Sequence, residues 1–159
     1  MYDMSSVWPK DIQEAKEHLQ EHITNALEKC YFTIKLENKC IGQLGFDFST
    51  PGKLWVCYWI ANDYQKKGYM TEICPPMVKF FFETCEEFSK LHIRVHKKNT
   101  SSQKLANKIC SFINQNNIYI PDTYEETIQP YSEKDRGFIS YQVVHFKLFK
   151  NHKDEEYEK

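Results

Sequence analysis

The chain has 159 residues, of which 41% are hydrophobic and 27% charged, proportions that fit one globular domain with a single core. The net charge is −1 at pH 7 and only Arg94 and Arg136 are arginines, so no broad cationic surface is available for nucleic acid. No apolar run reaches the length of a signal peptide or a membrane span. These features predict a cytoplasmic enzyme or binding domain that binds neither nucleic acid nor membrane.

The six cysteines show no metal-binding spacing, since none forms a C-x-x-C pair or a cluster with histidine. They are therefore expected to be reduced core residues, and no metal site is predicted. The aromatic residues are numerous, but most recur at core periodicity, which argues against a stacking surface for single-stranded nucleic acid.

The first part of the chain predicts a helix followed by three strands. Apolar residues recur every three or four positions from Ile12 to Cys30, which is one face of an amphipathic helix. The period then changes to two, and turn residues separate three short runs, which predicts an antiparallel meander with strands at 31–37, 40–48 and 54–61.

The second part predicts alternating helices and strands. Helical spacing returns over 77–88, a short strand begins at Leu91, and a second helix covers 101–113 with capping residues in front of it. Strands are expected around Ile118 to Tyr124 and from Phe138 onward. The whole order predicts a mixed α+β domain with a sheet that contains one parallel crossover.

The most informative stretch is the loop between the third strand and the next helix. The loop carries Gln65 and, three positions later, Gly68, and a loop of this kind points backbone N–H groups outward at a helix start, where an anion binds. On spacing alone, the simpler interpretation is a plain strand-to-helix turn in which Gly68 adopts a positive φ.

The loop Gln65-Lys66-Lys67-Gly68-Tyr69-Met70 resembles the Gln/Arg-x-x-Gly-x-Gly/Ala signature of the GCN5-related N-acetyltransferase (GNAT) family. Tyr58-Trp59-Ile60-Ala61 before it is similar to the branch that acetylates the N-termini of ribosomal proteins. The resemblance extends to Ile41–Phe46 and to Asn99-Thr100-Ser101-Ser102, and it spans roughly residues 8 to 113.

The resemblance implies a GNAT fold over residues 1–150, with a central, mostly antiparallel twisted sheet flanked by helices, and a polar tail at 151–159. It also implies transfer of an acetyl group from acetyl-coenzyme A, without a metal, to a primary amine of a protein N-terminus, a peptide or a small metabolite. The residues that would bind the coenzyme are Trp59, Ile60, Ala61, Gln65, Lys66, Lys67, Gly68, Tyr69, Met70, Asn99 and Ser102. Ser102 is also a candidate general acid for the departing thiolate, although a serine at a helix start is more often a cap.

Several residues depart from the family pattern. Met70 replaces the final Gly or Ala, and Pro75 with Pro76 predicts a kink or a delayed start of the helix. Trp55 occupies a position where the branch often carries a glutamate base, and the candidate substitutes are His92, His96 and Glu72. The alternative is therefore a degenerate module that binds coenzyme or a partner without transfer.

The family's usual first strand has little room here. Only Met1 to Val7 precede the first predicted helix, too few for a full strand and its connection. A sheet that is short by one strand would leave an edge for a partner chain, so a homodimer is the corresponding hypothesis.

Overall fold

The structure is a computed structural model that describes residues 28–128 and 141–150. The predicted first helix up to residue 27, the question of a missing first strand, and the predicted tail at 151–159 lie outside these residues. The described chain forms six strands and two helices: β1 (Lys29–Leu36), β2 (Lys39–Asp47), β3 (Lys53–Ile60), α1 (Tyr69–Thr84), β4 (Lys90–His96), α2 (Thr100–Ile113), β5 (Ile120–Ile128) and β6 (Tyr141–Phe149).

The six strands form one sheet in the order β1-β2-β3-β4-β6-β5. The pair β3 and β4, which α1 connects, is parallel, and the other four neighbouring pairs are antiparallel. The predicted mixed α+β fold with a mostly antiparallel sheet and one crossover is confirmed. Among the described strands β1 lies at an edge, and the homodimer stays a prediction.

Both helices pack on the same face of the sheet. Alternate residues of the central strands point to that face because side chains of a strand alternate between its two sides. Leu54 and Val56 of β3 and Leu91 and Ile93 of β4 join Cys74, Val78, Phe82, Ala106 and Ile109 of the helices in one buried cluster. Residues 55 and 92 consequently point to the opposite face. Within the described residues, no helix is long and apolar enough to cross a membrane.

Helix α1 is not delayed by its prolines. It begins at Tyr69, directly after Gly68, and continues through Pro75 and Pro76 to Thr84, so the prediction of a delayed start is wrong. Since proline has no N–H, the carbonyls of residues 71 and 72 lose their partners within the helix. Burial of the apolar side of α1, which includes Pro75, offsets this loss.

Other corrections concern strand limits and cysteines. Cys30 lies in β1, where it pairs with Phe46 of β2, and not on the predicted helix. The last two strands run later than predicted, at Ile120–Ile128 and Tyr141–Phe149. All six cysteines are free, as expected, but only Cys74 is fully buried, and Cys40, Cys57 and Cys85 are exposed.

Candidate active site

The loop between β3 and α1 is held by contacts within itself. A short 3-10 turn over Asn62–Tyr64 follows the strand, and Gln65 Nε2 donates hydrogen bonds to Asn62 Oδ1 at 3.0 Å and to Ile60 O at 3.4 Å. Lys66 and Gly68 both have positive φ angles, of 60° and 88°. The side chain of Gln65 therefore shapes the loop and is not directed at a ligand phosphate.

Six consecutive backbone amides of this loop, at residues 66–71, donate to no acceptor among residues 28–128 and 141–150. The next amide, of Glu72, makes the first hydrogen bond of α1, to Gly68 O at 3.0 Å. A run of free amides with alternating backbone handedness at a helix start is a concave site for an anion. The exposed lysines at 66 and 67 add positive charge beside it.

Met70 turns away from the loop. Its side chain is 8% exposed and packs in the core cluster beneath α1. The flexible side chain that the sequence places at the usual Gly or Ala position therefore leaves the amide of Met70 open to an anion.

The parallel strands β3 and β4 separate beside this loop. Their pairing ends at Val56 and Ile93, whereas β3 continues to pair with β2 as far as Ile60, and β4 with β6 as far as His96. A gap therefore opens between the carboxyl ends of the two central strands.

Ala61 N donates to Ile41 O at 2.8 Å, on the β2 side of the strand. Because backbone groups of successive strand residues point to alternate sides, those of Tyr58 and Ile60 face the gap.

The start of α2 borders the same gap. Asn99 caps the helix by accepting a hydrogen bond from Ser102 N at 3.1 Å, so the interpretation of Ser102 as the cap is wrong. Ser102 Oγ instead donates to the Tyr58 hydroxyl at 3.2 Å, and that hydroxyl donates to Ser102 O at 3.0 Å. Burial raises the pKa of Tyr58, against the opposing effect of the Ser102 hydrogen bond, so the hydroxyl stays protonated.

A second concave region lies on the opposite face of the sheet, and we call it the polar cleft. It has a volume of about 560 Å³. Ten residues line it: Lys53, Trp55, His92, Arg94, Asp122, Tyr124, Glu126, His145, Lys147 and Phe149. Trp55, at the position where the branch that it resembles often carries a glutamate, stacks on His92 with ring centroids 3.8 Å apart.

Two histidines and a glutamate form a hydrogen-bonded chain in the polar cleft. His92 Nε2 lies 2.7 Å from His145 Nδ1, and His145 Nε2 lies 2.8 Å from Glu126 Oε2. Both rings are buried, at 5% and 2% exposed, but the Glu126 side chain is 49% exposed. Burial lowers the pKa of His145, and Arg94 and Lys147 add to this effect, while Glu126 opposes it.

The other candidate bases are less suitable. Glu72 is an exposed residue in the first turn of α1, on the helix-covered side. His96 Nδ1 already accepts a hydrogen bond from Lys98 N at 3.1 Å. Within residues 28–128 and 141–150, no group of three or more His, Cys, Asp or Glu side chains is arranged to hold a metal ion.

The structure brings three predicted segments to one gap: the strand end at 59–61, the loop at 65–70 and the helix start at 99–102. Sequence reasoning missed Tyr58 as a partner of Ser102, and it missed His145 and Glu126. His145 lies 53 residues from His92 and 19 from Glu126, so no local pattern joins the three. Only the pairing of β6 with both β4 and β5 does so.

Solved structures with the same fold include three acetyltransferases. The microcin self-immunity acetyltransferase MccE, in complex with acetyl-CoA and AMP, is 14% identical over 86% of this chain and 70% of its own, with a TM-score of 0.64. RimL, a ribosomal-protein alpha-N-acetyltransferase in complex with coenzyme A, is 14% identical over 94% and 78%, with a TM-score of 0.63. A point mutant of the spermidine N-acetyltransferase SpeG from Vibrio cholerae is 14% identical over 89% and 77%, with a TM-score of 0.62.

Comparison with curated proteins found no match. The sequence profile of the acetyltransferase (GNAT) domain matches residues 2–109, which is more than half of the chain. This span includes β3, the loop with its six free amides, α1 and most of α2. The chain therefore belongs to the GNAT acetyltransferase family.

Proposed function

We propose that the protein is an acetyl-coenzyme-A-dependent N-acetyltransferase that modifies a primary amine of a protein N-terminus, a peptide or a small metabolite. The run of free amides at residues 66–71, beside the gap between β3 and β4, is the observation that carries the proposal. A pyrophosphate needs such a site, and a plain strand-to-helix turn does not require the neighbouring strands to separate.

The residues around the gap are proposed to hold three parts of the coenzyme: the pyrophosphate, the pantetheine arm and the thiol. Within the predicted loop Gln65 to Met70, the free amides from residue 66 onward would hold the pyrophosphate, because the amide of Gln65 already donates to Asn62 O. The ammonium groups of Lys66 and Lys67 would add attraction from the rim. The predicted pantetheine site at Trp59, Ile60 and Ala61 lies along the strand that borders the gap. Within it, the backbone of Ile60, together with that of Tyr58, points the right way to pair with an extended arm.

Asn99 would hydrogen-bond the pantetheine arm, and Ser102 would lie near the thiol. Bound acetyl-coenzyme A supplies the acetyl group as a thioester, which a neutral amine attacks directly. Ser102 and the Tyr58 hydroxyl form a pair of protonated hydroxyl groups there, so Ser102 is the candidate donor of a proton to the departing sulfur.

The acceptor is proposed to enter from the polar cleft, on the face that α1 and α2 leave open. Glu126 and Asp122 can attract a cationic amine, and the cations Lys53, Arg94 and Lys147 of the same lining oppose this attraction. RimL and SpeG act on amines of very different size, which supports an amine acceptor without selecting one for this chain.

Two measurements on the full chain test the proposal. Calorimetry with acetyl-coenzyme A should show binding, and S-acetylpantetheine, which lacks the pyrophosphate, should not compete. A thiol-release assay against N-terminal peptides, spermidine and free amino acids should then identify an acceptor. Binding without thiol release on any amine would favour a degenerate coenzyme-binding module, and absence of binding would refute the proposal in favour of a degenerate module that binds a partner.

A further inference from the structure

Arg94 is the cation of the polar cleft that lies next to the gap between β3 and β4. The last pair of these two strands is Val56 with Ile93, and Arg94 is the next residue of β4. Ile93 and Val95 on either side of it are buried in the core cluster, so Arg94 lies on the face of the sheet away from α1 and α2. An acceptor that reaches the gap from the polar cleft therefore passes its guanidinium group.

The other two cations of the cleft are placed differently. Lys53 pairs with Lys90, at the opposite end of the ladder between β3 and β4. Lys147 is only 4% exposed, and its ammonium group lies 4.5 Å from the centre of the Tyr124 ring. Of the three cations, Arg94 is thus the one that an acceptor at the gap meets first.

The guanidinium group of Arg94 is held by an aromatic ring and not by a counter-charge. Arg94 is exposed, and its Cζ lies 5.8 Å from the centre of the Trp55 ring. Within the part of the chain that the structure describes, it forms no salt bridge. Since an aromatic ring offers no oxygen to accept hydrogen bonds, the N–H fork keeps its capacity for the two oxygens of a carboxylate.

The carboxylates of the cleft lie farther from the gap. Asp122 and Glu126 are both on β5, which β6 separates from β4. Two strand spacings amount to about 10 Å. Glu126 Oε2 also lies 2.8 Å from His145 Nε2, from which it accepts a hydrogen bond. Beside the gap, the charge that an acceptor meets is therefore positive.

We propose that Arg94 binds a carboxylate of the acceptor, so that the substrate is an amine with a carboxylate close to its amino group. This inference rests on the proposed function, whose acceptor it narrows from any primary amine to one that carries a negative charge. A free amino acid supplies this chemistry, and so does a peptide N-terminus with an acidic first residue. A polyamine does not, because it would bring an ammonium group to the guanidinium and nothing to bind it.

Binding at Arg94 orients the acceptor. A carboxylate accepts two parallel hydrogen bonds from the planar fork, which fixes its direction as well as its distance. The amine on the adjacent carbon is then held at the mouth of the gap, where the thioester lies in the proposed complex. Arg94 contributes to substrate binding and specificity and transfers no proton.

Matched acceptors test the proposal in a thiol-release assay with the full chain. One arm compares free amino acids with their C-terminal amides, and the other compares peptide amides that begin with aspartate with those that begin with asparagine. In one arm the acid should have a kcat/KM about tenfold higher than the amide, the order expected of one charge-assisted, bidentate contact. That arm identifies the source of the carboxylate. Equal rates in both arms would overturn the inference, and so would spermidine as the best acceptor.

Variants of Arg94 show whether this side chain causes the preference. Arg94→Gln should raise KM for the acid about tenfold and leave its kcat and both constants of the amide unchanged, because only a binding contact is lost. Arg94→Lys keeps the charge without the fork and should restore part of the preference. Lys35→Gln is the matched control, since Lys35 is an exposed cation of β1, outside the polar cleft. A preference that persists in Arg94→Gln would contradict the assignment.

Nuclear magnetic resonance of the wild type needs neither turnover nor a variant of the site. The chain has only two arginines, Arg94 and Arg136, so the Nε–H signal of each can be followed, and Arg136→Lys assigns them. With coenzyme A present, N-acetylglycine or N-acetylaspartate amide should shift the Arg94 signal. Their uncharged counterparts, N-acetylglycinamide and N-acetylasparagine amide, should not. No shift with either acid would overturn the inference.

Calorimetry separates this inference from the proposed function. Arg94→Gln should bind acetyl-coenzyme A as tightly as the wild type does, because Arg94 lies outside the coenzyme site, and equal affinity also shows that the variant folds. Coenzyme binding and thiol release without a preference for the acid would overturn the role of Arg94 alone. Absence of coenzyme binding in the wild type would refute the proposed function.

Discussion

Replacing Pro76 with alanine should stabilise the protein, because this proline lies inside α1 and its side is exposed. Proline in a helix interior costs about 3 kcal/mol relative to alanine, through the lost hydrogen bond and the clash with the carbonyl four residues back. Proline also restricts the unfolded chain, and losing this restriction on replacement by alanine lowers the free energy of unfolding by about 0.4–1 kcal/mol. The exposed ring contributes little packing, so the net gain in the free energy of unfolding is about 2 kcal/mol.

For a chain of 159 residues this gain corresponds to a rise in Tm of roughly 4–8 °C. Thermal unfolding followed by circular dichroism, together with urea denaturation at 25 °C, would measure it. Pro75→Ala is the matched comparison: Pro75 is buried, so lost packing should cancel much of its gain. A Tm for Pro76→Ala equal to or below that of the wild type would refute the reasoning.

Three further predictions concern the site. Gly68→Ala should weaken acetyl-coenzyme A binding about tenfold by calorimetry. Nothing lies within 4 Å of the added Cβ, so the loop conformation is disfavoured only by the positive φ, which costs alanine about 1–2 kcal/mol. Unchanged affinity would mean that the loop amides do not hold the phosphates. Ser102→Ala should lower kcat on the order of 10²-fold in a thiol-release assay, and Tyr58→Phe should lower it less, since only Ser102 is proposed to donate the proton. If both variants keep the wild-type kcat, the hydrogen bonds between Ser102 and Tyr58 have only a structural role. The free energy of unfolding should fall as pH drops below 6.5, because the folded state lowers the pKa of His145 and the unfolded chain then binds more protons. In urea titrations, His145→Asn should reduce this dependence of the free energy of unfolding on pH. An unchanged dependence would assign it to other groups.

The sequence predicts most of the fold because its signals are local. The period-two runs of the meander, the strand before Gln65 and the apolar spacing of α2 all appear within windows of about ten residues. The loop at 65–70 could likewise be predicted, since its glycine and the following helix are adjacent in the chain. Its six free amides required the structure, because an amide is free only where no distant acceptor reaches it.

The prediction for the start of α1 failed because the helix-breaking effect of two prolines competes with the burial of residues before them. Pro75 and Pro76 argue for a helix that starts after them, but Met70 and Cys74 in the turns before them are buried in the core. Packing those side chains beneath the sheet outweighs the two missing hydrogen bonds. The apolar spacing that predicted the helix begins after the prolines, so it could not show that the residues before them are also helical and buried.

The polar cleft could not be predicted for a topological reason. Its chain of titratable groups requires β6 to lie between β4 and β5, an order in which the last strand of the described chain inserts between two earlier ones. This insertion brings His145 beside His92 on one side and Glu126 on the other. The parting of β3 from β4 at Val56 and Ile93 then connects the two faces of the sheet at the same level.

The two faces of the sheet carry different kinds of chemical group. Helix starts, which supply free amides and hydroxyl groups, lie on one side of the gap, and the titratable chain lies on the other. A pyrophosphate is stabilised by amides and disfavoured by carboxylates, whereas an ammonium acceptor has the opposite preference. If the proposed function is correct, separating the two sets of groups by the thickness of one sheet would allow the coenzyme and the amine to approach the gap from opposite faces.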